Sequence, residues 1–142
     1  MIARPEGLSP RDIAVSGMKA QRVRMSVIAN NVANAMTTRT PEGGAFRRQL
    51  AIFRGENIRP IVDPSKFGVR VKAVQSDLSP LRPVYDPAHP DANADGYVLY
   101  PNVNVSEEMV NLVAAQRAYE ANVATIASAG RMTDKSLELL RV

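Results

Sequence analysis

The sequence predicts a mainly α fold: an elongated antiparallel two-helix coiled-coil hairpin of N- and C-terminal helices, with a small proline-rich, irregular or β insert between them. Three observations predict it. Residues 11–40 and 102–142 contain no proline, whereas eight of the ten prolines fall between Pro41 and Pro101. Six of the seven aromatic residues lie in that same middle stretch. Both proline-free ends carry apolar residues at three- and four-residue spacing, the mark of a helix with one buried face. The implied organisation is an N-terminal helical segment over 1–40, an insert over 41–104 and a C-terminal helical segment over 105–142.

The first helix has a readable start. Ser9 can cap it, Pro10 takes the first helical position, where its missing N–H costs nothing, and Asp12 stands three residues after the cap. Positions Ala14, Met18, Gln21, Met25, Ile28, Val32 and Ala35 then form a stripe that is apolar at six of seven places. Lys19, Arg22 and Arg24 lie off it. The helix is expected to run from about Pro10 to Ala35 and to stop before Thr37-Thr38-Arg39-Thr40-Pro41.

The insert opens on a turn at Pro41-Glu42-Gly43-Gly44. Gln49–Phe53, Val69–Ala73 and Gly96–Tyr100 are expected to be short strands, the second because apolar and charged residues alternate. The last helix starts at Asn104 as cap, with Glu107 placed to reach back. Its stripe runs Val105, Met109, Leu112, Gln116, Tyr119, Val123, Ile126, Gly130, Thr133, Leu137 and Leu140. From Ser106 to Arg141 it would be about 54 Å long at 1.5 Å per residue. A compact domain of this size has a diameter under roughly 40 Å. The helix outruns such a globule, so its apolar stripe calls for partners outside the chain.

Composition narrows the chemistry. There is no cysteine, which removes thiol nucleophiles, disulfides and Cys-ligated zinc. No apolar run approaches the roughly 20 residues that span a bilayer, so no membrane insertion is expected. Met1–Pro10 reads as no Sec-type signal peptide, because no apolar core follows its charges. Residues 1–54 hold nine Lys/Arg against three Asp/Glu (+6), and residues 55–142 hold nine against eleven (−2). Copies of such a chain can attract head to tail, although a solvated basic helix face explains the same charges. The basic residues are spread rather than clustered, and no nucleic-acid partner is expected.

One segment imitates a metal site. Asp91-x-Asn93-x-Asp95-Gly96 matches the first half of an EF-hand loop, but its twelfth position is Asn102 and prolines block the flanking helices. The competing reading is a set of turns in which Asp and Asn side chains bond nearby backbone N–H groups. A calcium-binding protein built on this loop, or an intracellular coiled-coil adaptor, remains the alternative function. His89 is the sole histidine, and no catalytic triad or phosphate loop is apparent. The expectation is no catalytic residue, no resident metal and no cofactor.

The stretch Ala29-Asn30-Asn31-Val32-Ala33-Asn34-Ala35, continued by Thr37-Thr38-Arg39-Thr40-Pro41-Glu42-Gly43-Gly44 and Phe46-Arg47-Arg48-Gln49, resembles the N-terminal signature of flagellar rod and hook proteins. Tyr85-Asp86-Pro87-Ala88-His89-Pro90-Asp91, Gly96-Tyr97-Val98 and Pro101–Val105 extend the resemblance. Glu107–Val110 and Arg117–Asn122 carry it into the last helix, so it covers nearly the whole chain. Met36 and Ala45 depart from the usual family residues and lie off the helix stripe. The resemblance implies a non-enzymatic structural subunit of the bacterial flagellar basal body, in the rod that crosses the periplasm and transmits torque. It implies transit through the flagellar type III export apparatus. The implied partners are copies of itself, other rod proteins and neighbouring basal-body components. The expected assembly interface comprises Met18, Met25, Ile28 and Val32 on the first helix, and Met109, Leu112, Tyr119, Val123, Ile126 and Leu137 on the last. Asn30, Asn31 and Asn34 are expected to make helix-end hydrogen bonds between subunits, with ordinary C-capping as the alternative.

Overall fold

The computed structural model describes residues 10–57 and 67–140. The elements are α1 (Pro10–Ala33), β1 (Gln49–Asn57), β2 (Phe67–Ser76), β3 (Arg82–Tyr85), β4 (Tyr97–Tyr100) and α2 (Val105–Leu139). The cap expected at Ser9 lies outside the described residues. Asp12 does sit in the first turn of α1, where a carboxylate meets the positive end of the helix dipole. Asn104 caps α2 from an extended conformation, its side-chain oxygen accepting from the N–H groups of Ser106 at 3.1 Å and Glu107 at 3.4 Å. Glu107 does not close a capping box. Its carboxylate turns to Arg48, 3.5 Å away.

The strands form two separate antiparallel pairs, β1–β2 and β3–β4. β1–β2 runs from Gln49↔Ser76 to Asn57↔Phe67, and the register slips after Ile52 so that Lys72 has no opposite number. Such a bulge tightens the twist of a ribbon. β3, with Pro83 in it, was not anticipated from the sequence. Its partner register is Arg82↔Tyr100 to Tyr85↔Tyr97.

The helices run antiparallel. Asn31 meets Glu108, Arg24 meets Asn111, and a Cβ on Gly17 would stand only 2.9 Å from Nδ2 of Asn122. The β1–β2 ribbon lies along a second side of α1: the N–H of Val69 donates to Ser16 Oγ at 3.1 Å, and Gln49 bonds Asn31 at the other end. Among the described elements α2 packs on α1 alone.

The expected mainly α, coiled-coil hairpin is therefore corrected to a mixed α/β architecture with two helices and two small antiparallel sheets. The physical reason is that α1 divides its buried surface between α2 and a β-ribbon, which a two-stranded coiled coil cannot accommodate. The seam also carries few of the large apolar knobs of a coiled coil, Ile28 being the exception. On α1 it follows Gly17, Arg24 and Asn31, and on α2 Glu108, Asn111, Ala115 and Asn122. Small residues let the backbones approach, and amides and charges bond across.

Gly17→Leu tests that approach. The added side chain must displace Asn122, and the folded state is expected to lose about 1–3 kcal/mol, the range for overpacking a tight contact. A urea midpoint equal to that of the parent chain would show that the helices part freely there.

Candidate assembly interface

In α2 only Glu108 and Ala115 of 35 residues are buried. Val110 is 71% exposed and Leu139 80%, and Met109, Val113, Val123, Met132 and Leu137 are also exposed. Water-facing helix positions are ordinarily polar. Here apolar residues occupy most of the circumference.

Helix phase locates the expected stripes. At about 100° per residue, Met109, Leu112, Tyr119 and Val123 lie about 90° round α2 from the line that faces α1. Met18, Met25 and Val32 are displaced similarly on α1. Because the helices are antiparallel, both displacements fall on one side of the pair, the side opposite the β1–β2 ribbon. Val123, Met109 and Leu137 are exposed there; Met18, Met25, Val32, Leu112, Tyr119 and Ile126 are half-buried, and Ile28 is buried between the helices. Gln21, on the same stripe, has a buried Oε1 with no hydrogen-bond partner among the described residues.

The three asparagines bond within the chain. Asn30 donates to Gln49 Oε1 at 3.1 Å, and Asn34 donates to the Asn30 carbonyl at 2.9 Å. Asn31 is fully buried. Its Nδ2 donates to the Gln49 carbonyl and to Glu108 Oε2, both at 2.9 Å, and its Oδ1 accepts from the Gln49 N–H at 2.8 Å.

Asn31 belongs to a polar clamp that sequence reasoning missed. Glu108, 1% exposed, accepts from Arg48 Nε at 2.9 Å and Nη2 at 2.6 Å. Arg48 also faces Asp77 and Glu107, and its backbone N–H donates to Asn102 Oδ1 at 2.8 Å. Burial works against the guanidinium charge, but the Glu108 hydrogen bond and the charges of Glu108, Glu107 and Asp77 outweigh it and raise the Arg48 pKa. Asp77 is held below the ordinary aspartate range by the Ser79 hydroxyl and N–H, with Arg48 and Arg47 adding to the effect. One clamp thus ties the end of α1, the start of β1, the chain after β2 and the first turn of α2. The available signal was the pair Arg47-Arg48 matched by Glu107-Glu108 at the next helix start.

The Asp91 loop is a set of turns. Asp91 accepts from Thr38 Oγ1 at 2.8 Å and lies 3.7 Å from Arg39. Asn93 Oδ1 accepts from the N–H groups of Asp95 and Tyr97, at 3.0 and 2.9 Å, and Gly96 takes the positive φ of 79° that the turn requires. These bonds occupy oxygens that calcium would need. Titration with calcium is expected to give no binding heat at micromolar concentration; a micromolar isotherm would restore the calcium reading. Among the described residues no three His, Cys, Asp or Glu side chains are grouped to hold a metal, and no helix is long and apolar enough to cross a membrane.

A helix pair with an uncovered apolar side, locked to small ribbons by a buried charge clamp, defines a subunit of a larger structure. Comparison with known proteins places that structure. The family described as "Flagella basal body rod protein" matches residues 12–39, and "Flagellar basal body rod FlgEFG protein C-terminal" matches residues 94–139. The chain is 44% identical over 144 residues to the flagellar basal-body rod protein FlgC of Borreliella burgdorferi, with 92% of this chain and 95% of the relative covered. It is 38% identical to the FlgC proteins of Bacillus subtilis (90% and 94% covered) and Salmonella typhimurium (90% and 93%). The chain belongs to the FlgC family of flagellar basal-body rod proteins. It is a structural rod subunit of the flagellar basal body, and it assembles with other basal-body components.

Proposed function

We propose that the side of the helix pair opposite the β1–β2 ribbon, together with the outward side of α2, is the surface through which this subunit packs in the rod. Met18, Met25, Val32, Met109, Leu112, Tyr119, Val123, Ile126 and Leu137 meet neighbouring subunits there, which are copies of this chain or other rod proteins. Residues 1–40 and 105–142 supply this packing part, and residues 41–104 supply lateral contacts. The assembled subunits carry torque across the periplasm, the chain arriving through the flagellar export apparatus. The role is mechanical, and no step of it calls for catalysis.

The observation that carries the reading is α2, of whose 35 residues only Glu108 and Ala115 are buried. Leaving so much apolar surface in water forgoes about 25 cal/mol per Å² that association would recover. Amide exchange compares the free chain with the chain in isolated basal bodies. Residues 123–139 are expected to exchange readily when free and slowly in the basal body. Equal protection in both settings would refute the proposal.

A further inference from the structure

Besides the α2 cap, four side chains among the described residues accept a hydrogen bond from the backbone N–H two residues on. Asp77 Oδ1 accepts from Ser79 at 2.9 Å, Asp86 Oδ1 from Ala88 at 3.3 Å and Asn93 Oδ1 from Asp95 at 3.0 Å. These three are Asx turns, the ordinary use of aspartate and asparagine in loops. The fourth acceptor is a ring nitrogen: His89 Nδ1 takes the N–H of Asp91 at 3.1 Å. Here a histidine imitates an Asx turn.

The imitation differs in one respect. A carboxyl group keeps an acceptor oxygen when it takes up a proton, and a side-chain amide does not titrate. An imidazole accepts at Nδ1 only while it is neutral, with its proton on Nε2. Once it is charged, both ring nitrogens are donors. Histidine is also the side chain whose charge ordinarily changes between pH 5 and 8. A charged His89 would set an Nδ1–H against the N–H of Asp91.

His89 is half-buried in a strap between two parts of the fold. Its carbonyl accepts from the Ala92 N–H at 3.0 Å, and its N–H donates to the Asp86 carbonyl at 3.3 Å. Asp91 accepts from the Thr38 hydroxyl and faces Arg39, both in the loop that follows α1. On the other side, the His89 ring lies 6.4 Å from that of Tyr100 in β4, and Arg82 of β3 stands 5.6 Å over the tyrosine ring. The charged groups around the imidazole are therefore Asp86 and Asp91 of its own turns, Arg39 of the loop after α1 and Arg82 of β3. A newly formed Nδ1–H would turn towards a carboxylate, and the carboxylate of Asp91 is the one that holds Thr38.

We propose that the His89 turn is a pH-sensitive latch. The neutral ring holds Asp91 in the strap that ties the end of α1 to the β3–β4 ribbon, and the charged ring releases it. The sign follows from the hydrogen bond. The closed turn needs the neutral ring, so it is complete at higher pH and is lost as the pH falls through the range in which the ring takes up its proton. The Arg48–Glu108 clamp contains no imidazole, so the loosening is confined to the strap.

The test is made by NMR on the full chain. Near pH 8, where imidazole is ordinarily neutral, the ring is expected as the Nε2–H tautomer. The Nδ1–H tautomer would overturn the proposal. The protection factor of the Asp91 amide already allows for the intrinsic pH dependence of exchange. It is expected to fall about tenfold between about pH 7.5 and about pH 5.5, the worth of one net hydrogen bond. The amide of Ala115, in the middle of α2, is expected to keep its protection over the same range. His89→Asn places an amide oxygen where Nδ1 stood and is expected to keep the Asp91 amide protected at both pH values. His89→Phe is expected to leave it about tenfold less protected at both. A parent chain whose Asp91 protection stays level while the ring titrates, or a His89→Asn chain that loses protection as the parent does, overturns the latch.

Discussion

Arg48→Ala is expected to cost the fold about 3–5 kcal/mol, the range for removing one partner of a buried ion pair. The side chain of Glu108 is 2% exposed, and in the parent chain Arg48 is the cation that neutralises it. Without the guanidinium a carboxylate is left in the interior with only the Asn31 amide as donor. Small domains hold about 5–15 kcal/mol in total, so the loss would be a large share of the whole. Glu108→Gln should do less harm, because the freed Arg48 keeps Asp77 and Glu107 nearby. Replacing both residues together, Arg48→Met with Glu108→Leu, should recover most of the loss, since no charge is then buried. Urea midpoints of the three variants decide the matter. An Arg48→Ala chain within 1 kcal/mol of its parent would mean that water reaches Glu108 and that the clamp is not structural. The acid limb has a defined sign. The Asp77 pKa is lowered by folding, so its contribution is present above the unfolded-state value and is lost as pH falls through the folded one.

Val123→Asp is expected to abolish motility while leaving the free chain intact. Val123 is 42% exposed in the single subunit, and substitutions at such positions usually change stability by no more than about 0.5 kcal/mol. In the rod the same position would be covered, and a buried carboxylate without a partner costs several kcal/mol. Each 1.4 kcal/mol is about tenfold in an association constant, so a modest part of that cost removes the subunit from the assembly. Val123→Thr keeps the shape and should swim. The measurement is swarm expansion in a complemented strain lacking the parent gene, alongside thermal melting of the purified variant. Normal swarming by Val123→Asp would move the interface elsewhere.

The helices were legible because proline exclusion and three-four spacing are local signals. Asn104 as cap and Pro10 at the helix start needed no knowledge of the rest of the chain. Three of the four strands were legible for the same reason, and β3 was not because Pro83 sits in it. The seam between the helices was illegible. Apolar periodicity locates large side chains, and Gly17, Asn31, Ala115 and Asn122 are small or polar. Most of the stripe residues it found lie beside the seam, on the side opposite the β1–β2 ribbon, while Ala14 and Ile28 are buried. The asparagines were expected to bond between subunits, with ordinary C-capping as the alternative; within the single chain they bond Gln49, Glu108 and the α1 backbone. The clamp escaped notice because Arg48 and Glu108 are 60 residues apart and each reads as a surface charge.

The same seam has a consequence under load. Pro10 and the far end of α2 lie at the same end of the antiparallel pair, since Gly17 stands against Asn122. A pull applied to the two ends of the chain would open the contacts in turn, like a zipper, and would meet only one small-residue contact at a time. Force applied sideways across the helices would instead strain every contact together, with the Arg48 clamp at the closed end as the anchor. The pair is therefore expected to open from its free end under a smaller force than is needed to part the helices all at once.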